Sequence, residues 1–354
     1  MLLHNRVNRQ ELIERLAKEP FRRVTLSFYR YVYFENPQEI RDKLYQRWVK
    51  LNCFGRIYLA HEGINAQMSL PEHHLQEFLK DLDTQTGLAE MPIKYAVEDD
   101  GKSFFKLTIK IRPKIVADGL PDYTYDVTNV GKHLSPMEFH DFAGQEGVLI
   151  VDMRNHYESE VGRFEGAFCP DADTFREAIL KVEEELIDKK DQKLLLYCTG
   201  GIRCEKASAY LRHQGFSDVN QLHGGIIAYA HAIKQEDKPS KFVGKNFVFD
   251  QRLGEKIDEN VIAHCHQCGD LCDSHTNCAH NDCHLLFIQC PSCATRYNGC
   301  CSKECMQALT LTPEEKASHR KTNTEKYAAN KIFHSRLRPR LSIEVQACEY
   351  QPEQ

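Results

Sequence analysis

The run Leu194-Leu-Leu-Tyr-Cys198-Thr-Gly-Gly-Ile-Arg203-Cys-Glu-Lys-Ala-Ser208 constrains this chain more than any other stretch. A short apolar strand delivers a cysteine into a glycine-rich loop, and an amphipathic helix follows. The loop amides of Thr199, Gly200, Gly201, Ile202 and Arg203, and the positive end of that helix, can face the sulfur. Arg203 adds a full charge, so every element of the loop favours thiolate over thiol. Glycines at 200 and 201 are costly choices for packing alone.

Such a cradle stabilises either a terminal persulfide or a phosphate. Four residues separate Cys198 from Arg203, one fewer than in phosphatases of this general shape, and the shorter loop suits sulfur. From the residues alone Cys198 is a sulfur-handling nucleophile whose persulfide the amides would hold, with Arg203 offsetting the charge. Asp152 or Arg154 is placed to order the loop, and Glu205 falls in the first helical turn. Cys204 is either a resolving thiol or a small residue at a helix start.

A chain of 354 residues fits two or three domains, and 42% apolar with 27% charged residues is an ordinary soluble composition. No stretch approaches the ~18–20 apolar residues of a membrane span. The first ten residues lack an apolar core with a cleavage site, so a cytoplasmic protein is expected. Ten of the 15 cysteines crowd into residues 265–305, which without a secretory signal points to metal rather than disulfides.

Residues 1–22 form a basic segment containing Arg6, Arg9, Arg15 and Arg22, adjoined by Arg23. Residues 23–112 alternate strand and helix patterns in the order βαββαβ of a ferredoxin-like unit, with strands expected near 24–33, 56–60, 64–69, 93–97 and 105–111. Asn36-Pro-Gln-Glu39 opens its first helix, and Gly63 in His61-Glu-Gly-Ile-Asn65 makes a turn. Residues 113–130 carry Pro113, Gly119 and Pro121 and look like a linker. Residues 131–238 open with the capping box Ser135-Pro-Met-Glu138 and alternate buried strands with helices, the pattern of a parallel α/β sheet. Ligands of such sheets sit at the carboxyl ends of strands, where Cys198 falls.

Residues 239–310 hold four cysteine pairs: Cys265 and Cys268, Cys278 and Cys283, Cys290 and Cys293, Cys301 and Cys305. Eight thiolates make two tetrahedral zinc sites, and Cys272, Cys300, His266, His280 and His284 could substitute in them. The run from Cys290 to Cys305 resembles the second half of interleaved zinc fingers, which implies that the first pair joins the third and the second joins the fourth. Residues 311–354 form a basic helical tail. Between 313 and 340 it has eight Lys or Arg against three Glu, including Arg320, Lys321, Lys326, Lys331, Arg336, Arg338 and Arg340, with Tyr327 and Phe333 interleaved. A local +5 on a chain of −5 leaves −10 elsewhere, an asymmetry that suits RNA, although a solvated amphipathic helix has the same pattern.

Val151-Asp152-Met-Arg154, Glu158, Gly166-Ala167, the loop Cys198–Arg203 and Leu222-His-Gly-Gly225 together resemble a rhodanese domain. With the N-terminal unit carrying Glu62-Gly-Ile-Asn65 and the cysteine-rich C-terminal part, nearly the whole chain resembles the bacterial rhodanese-related tRNA uridine hydroxylases. That resemblance implies oxygen-dependent hydroxylation of the wobble uridine at carbon 5, with tRNA as partner and O₂ as cosubstrate. No flavin, haem or nucleotide motif is visible, His264 and His266 lie inside the cysteine cluster, and the electron or sulfur donor is not specified. The competing readings are a sulfurtransferase with a persulfide on Cys198 and an RNA-binding scaffold.

Overall fold

The computed structural model describes residues 7–322, 332–335 and 340–341. Helix α1 (Arg9–Ala17) is capped by Asn8, whose side chain accepts from the Gln10 amide. There follow β1 (Arg23–Tyr31), α2 (Pro37–Lys50), β2 (Phe54–Ala60), β3 (Gly63–Pro71), α3 (Leu75–Asp83), β4 (Lys94–Tyr95) and β5 (Leu107–Ile111). The Asn36 side chain accepts from the Glu39 amide and a proline stands in the first turn of α2, as its sequence signature predicts.

These strands form one sheet in the order β4-β1-β3-β2-β5. The first four are antiparallel in the ferredoxin-like order, and β5 adds a parallel edge to β2. Alternation along β1 sorts its two faces. Leu26 and Phe28 are buried with Trp48, Leu44 and Phe78 under α2 and α3, while Tyr29 and Tyr31 belong to the opposite face. The strand expected at 93–97 shrinks to two residues, because beyond Ala96 the chain leaves the sheet and the Val97 amide donates to Glu255 instead (3.2 Å).

Residues 113–130 have no helix or strand, yet they are packed rather than free. Ile115 is buried, and Asp118 accepts from Lys114 (2.8 Å), from the Leu120 amide (3.1 Å) and from Tyr125 Oη (3.2 Å).

The next part of the chain runs through β6 (Lys132–Leu134), α4 (Pro136–Phe142), β7 (Val148–Asp152), α5 (His156–Val161), β8 (Gly162–Phe164), α6 (Phe175–Glu185), β9 (Lys193–Tyr197), α7 (Ile202–His213), β10 (Asp218–Leu222) and α8 (Gly225–Gln235). Strands β6-β10-β9-β7 run parallel in that order, and the capping box at Ser135 and Glu138 is formed. Leu194 to Tyr197 of β9 are fully buried, as a central parallel strand covered on both faces requires. Strands β11 (Phe242–Asn246) and β12 (Glu255–Lys256) join β8 in a small sheet. The chain then makes the hairpin β13 (His275–Asn277) and β14 (Leu286–Ile288), followed by α9 (Pro291–Arg296), α10 (Lys303–Leu309) and α11 (Pro313–Thr322). Among the described residues no helix is long and apolar enough to cross a membrane.

Candidate active site and cysteine quartets

Strand β9 ends at Tyr197 and α7 begins at Ile202, so Cys198 stands where strand turns to helix. Its sulfur is buried and accepts from the Gly201 amide at 3.1 Å. Burial alone would push this thiol up. The Cys204 thiol, the Arg203 charge and the amides of Cys204 and Arg203 outweigh it and bring Cys198 from 9.0 down to about 6. Cys204 moves the other way: burial and its bond to the Cys198 sulfur raise it well above the usual thiol range, so it remains a donor.

Two glycines make the cradle possible. Gly201 has φ +99°, and a Cβ there would stand 2.8 Å from Tyr29 Oη. At Gly225 (φ +67°) a Cβ would stand 2.5 Å from the Cys198 carbonyl oxygen. That close approach lets the Ile226 and Ile227 amides at the start of α8 donate to the carbonyls of Cys198 (3.0 Å) and Thr199 (3.2 Å).

Glu158, on α5, orders the loop. Its carboxylate receives Arg203 through two bonds, 2.6 and 2.9 Å, and the Thr199 hydroxyl at 3.4 Å. Asp152 and Arg154 do not take that part. They form a fully buried pair behind Tyr197, with Arg154 Nη2 2.6 Å from Asp152 and 2.6 Å from the Gly162 carbonyl, and with Tyr197 Oη donating to Asp152 at 2.6 Å. A charge pair with no exposure supports the strand end and not the sulfur.

The N-terminal sheet covers the loop. Tyr29 Oη donates to Glu205 (3.0 Å), which also meets His133 (3.0 Å) and Gln221 (3.1 Å). Tyr31 Oη donates to the Ile202 carbonyl (3.3 Å). Burial, reinforced by Glu205 and Cys198, holds the Tyr29 phenol far above its usual range. Lys94 lies 4.4 Å over the Tyr29 ring, and burial lowers it to about 8 although Cys198 and Glu205 pull upward. Lys206 Nζ bonds both oxygens of Glu62 (3.0 and 2.9 Å) and the Val116 carbonyl (3.0 Å), and Asp118 lies 3.3 Å away. Glu62 sits at the β2–β3 turn, which the residues by themselves read as an ordinary turn. Tyr29, Lys94, Glu158 and Glu62 are the residues that reasoning from the motif missed. Glu158 had a signal in its place in the rhodanese-like pattern, and Glu62 in the Glu62-Gly-Ile-Asn65 run of the wider resemblance.

Cys198, Arg203, Tyr29, Lys94, Asn65 and Phe249 line a cavity of about 570 Å³ where the N-terminal sheet, the parallel sheet and the segment after β11 meet.

The cysteine pairs gather as two quartets, Cys265 with Cys268, Cys290 and Cys293, and Cys278 with Cys283, Cys301 and Cys305, with donor atoms within 4.8 Å of one another in each. Four such thiols suit a tetrahedral zinc ion with no change of ligand. Cys272, Cys300, His266, His280 and His284 stand outside both quartets. His266 Nε2 meets Glu160 of α5 at 2.9 Å, and His264 Nδ1 meets the Gly269 carbonyl at 3.0 Å.

The described residues of the tail are not uniformly solvated. Arg320 is exposed and paired with Asp282 at 2.8 Å, Lys321 is in α11, and Arg340 lies against Gly269. Phe333 is buried, its ring 4.4 Å from that of His266, so it serves this core instead of an RNA base. Arg6, Lys326, Tyr327, Lys331, Arg336 and Arg338 lie outside the described residues. At the N-terminus Arg15 pairs with Glu11 and stays exposed, whereas Arg23 is buried against Glu19 (2.6 Å), which removes Arg23 from a basic patch.

Residues 23–115 match the UPF0176 acylphosphatase-like domain, 135–232 the rhodanese-like domain and 243–306 the rhodanese C-terminal domain. A rhodanese-related protein from Thermoplasma volcanium, 18% identical, covers 32% of this chain and 97% of its own at a TM-score of 0.25. A tRNA uridine(34) hydroxylase from Leptospira interrogans is 55% identical over 96% of this chain and 92% of its own. One from Salmonella arizonae is 50% identical over 97% of this chain and 98% of its own. With that identity running through all three parts of the structure, the chain belongs to the tRNA uridine(34) hydroxylase family.

Proposed function

We propose that this protein is an oxidoreductase that hydroxylates uridine 34 of tRNA at carbon 5, with Cys198 as the reacting side chain. The observation that carries this reading is the position of the Cys198 sulfur on a cavity that only the assembled chain creates, since N-terminal, parallel-sheet and C-terminal residues all line it. A volume of about 570 Å³ accommodates one nucleobase taken out of its stack, and a wobble base in a single-stranded anticodon costs little to extract.

Addition of the Cys198 thiolate to carbon 6 of the uracil makes carbon 5 electron-rich, and carbon 5 is the atom that gains oxygen. The net reaction takes uridine, O₂, two electrons and two protons to 5-hydroxyuridine and water, the electrons coming from a donor outside the chain. Arg203, held by Glu158, and the loop amides keep the sulfur ionised before addition. Lys94 supplies a positive charge at the cavity wall. Zinc in the two quartets is structural, and the basic residues from Arg320 to Arg340 contribute to tRNA binding.

Purified protein, unmodified tRNA, a reductant and ¹⁸O₂ should yield labelled 5-hydroxyuridine and no thiouridine. Thiolated nucleoside formed under nitrogen, and only with an added sulfur donor, would replace this reading with a sulfurtransferase.

A further inference from the structure

A different set of ligand-bearing side chains gathers beside the same cavity. His156 is the first residue of α5, Asp171 and Asp173 stand just before α6, and His334 belongs to the described segment 332–335. One donor atom each from His156, Asp171 and His334 lie within 4.8 Å of one another. The two imidazole rings stack at 4.2 Å with 19° between their planes. Asp173 Oδ1 is 2.8 Å from His156 Nε2 and 2.5 Å from His334 Nε2.

Proximity is present here without hydrogen bonding. His156 is 1% exposed, and its Nε2 has no aligned hydrogen-bond partner, nor has Asp173 Oδ1. A carboxylate that merely held two imidazoles would align with their N–H groups, because a buried ring nitrogen without a partner is costly. Nitrogen and oxygen donors bound to one ion at about 2.1 Å, at right angles, stand about 3 Å apart, which the 2.8 Å between His156 and Asp173 approaches, while the 2.5 Å between His334 and Asp173 is the distance of a close ion pair.

Two imidazoles and a carboxylate form a donor set that suits iron(II), cobalt(II) or manganese(II) and leaves coordination positions open. It differs from the all-sulfur quartets, so the two kinds of site select different ions. Asp173 also lines the cavity that contains Cys198, and α5 carries both His156 and Glu158, the residue that grips Arg203. We infer that His156, His334 and Asp171 bind a divalent first-row transition-metal ion at the edge of the active-site cavity, with Asp173 adding an oxygen from the cavity side. The inference goes beyond the hydroxylase reading and does not depend on it, because binding is measured without turnover.

The test uses the full chain with both cysteine quartets filled by zinc, titrated anaerobically with cobalt(II). Wild-type protein should take up one cobalt with the weak visible bands of nitrogen and oxygen ligation and without an intense sulfur charge-transfer band. His156→Ala, His334→Ala and Asp171→Asn should each weaken uptake by about tenfold or more while the two zinc ions stay bound. His334, being partly exposed, keeps the test usable if His156→Ala does not fold. No cobalt uptake by wild-type protein, uptake with the sulfur band, or undiminished uptake by His334→Ala would each overturn the site.

Discussion

Both terminal nitrogens of Arg203 donate to one carboxylate, that of Glu158, which is fully buried on a helix separate from the loop, and Nη2 also reaches the Thr199 hydroxyl at 3.3 Å. The positive charge near the Cys198 sulfur is therefore positioned from outside the loop. Glu158→Gln leaves a buried guanidinium without its counter-charge, and such a loss costs about 3–5 kcal/mol. Denaturant unfolding should show that loss, together with a fall in product formation. Unchanged stability would show that Glu158 does not carry the loop.

The low Cys198 value can be read by alkylation. With its acid form lost at about 6, the rate with a small haloacetamide should rise to a plateau through pH 6, whereas an ordinary thiol titrates near 9.0. Cys204→Ala removes the thiol donor that faces the sulfur and should move the midpoint upward. Cys198→Ser should abolish 5-hydroxyuridine formation without altering the melting curve. Near-normal turnover by that variant would remove Cys198 from the chemistry.

Lys94 predicts an upper limit to the working pH. Cys198 loses its charge below about 6 and Lys94 loses its own above about 8, so the single-turnover rate should be bell-shaped with its maximum near the middle of that window. Lys94→Met should lower the rate by roughly a hundredfold and flatten the alkaline limb while leaving the acid limb in place. An alkaline limb that survives the substitution would assign it to another group.

Gly201→Ala tests the cover over the loop. An alanine at φ +99° meets both backbone strain of about 1–2 kcal/mol and Tyr29 Oη at 2.8 Å. Activity should fall sharply with modest loss of stability. Tyr29→Phe in the same background should recover part of it, since the clashing oxygen is gone.

Elemental analysis of protein produced with ample zinc should find two zinc ions per chain in the cysteine quartets. Strong chelation should unfold residues 265–305 before the parallel sheet melts. Zinc-free protein with an unchanged melting curve would refute a structural role.

Patterns with a short period were legible in the sequence. The run from Leu194 to Arg203 specified strand, loop and helix, and the cysteine spacings specified four pairs, whose grouping into the two quartets seen came from the resemblance to interleaved zinc fingers. What escaped were contacts made by residues distant in sequence. Nothing local marks Tyr29 as the partner of Glu205, 176 positions away, or Glu62 as the partner of Lys206. Asp152 and Arg154 misled for a related reason: their position at the end of a neighbouring strand fits loop support and strand support equally, and only the bond from Tyr197 decides. Phe333 counts with the basic run because an aromatic among cations reads the same whether it faces solvent or a core.

The order of the cysteines along the chain has a consequence for metal supply. Cys278 and Cys283 of one quartet lie between the two pairs of the other, and Cys290 and Cys293 lie in turn between the two pairs of the second. Each ion thus closes a loop that contains half of the other ion's ligands, so capture of the first shortens the search for the second. Loading should be all-or-none: in scarcity a cell would hold a mixture of complete and empty chains, with few singly charged ones, and the dose response to zinc would be steeper than that of two independent sites.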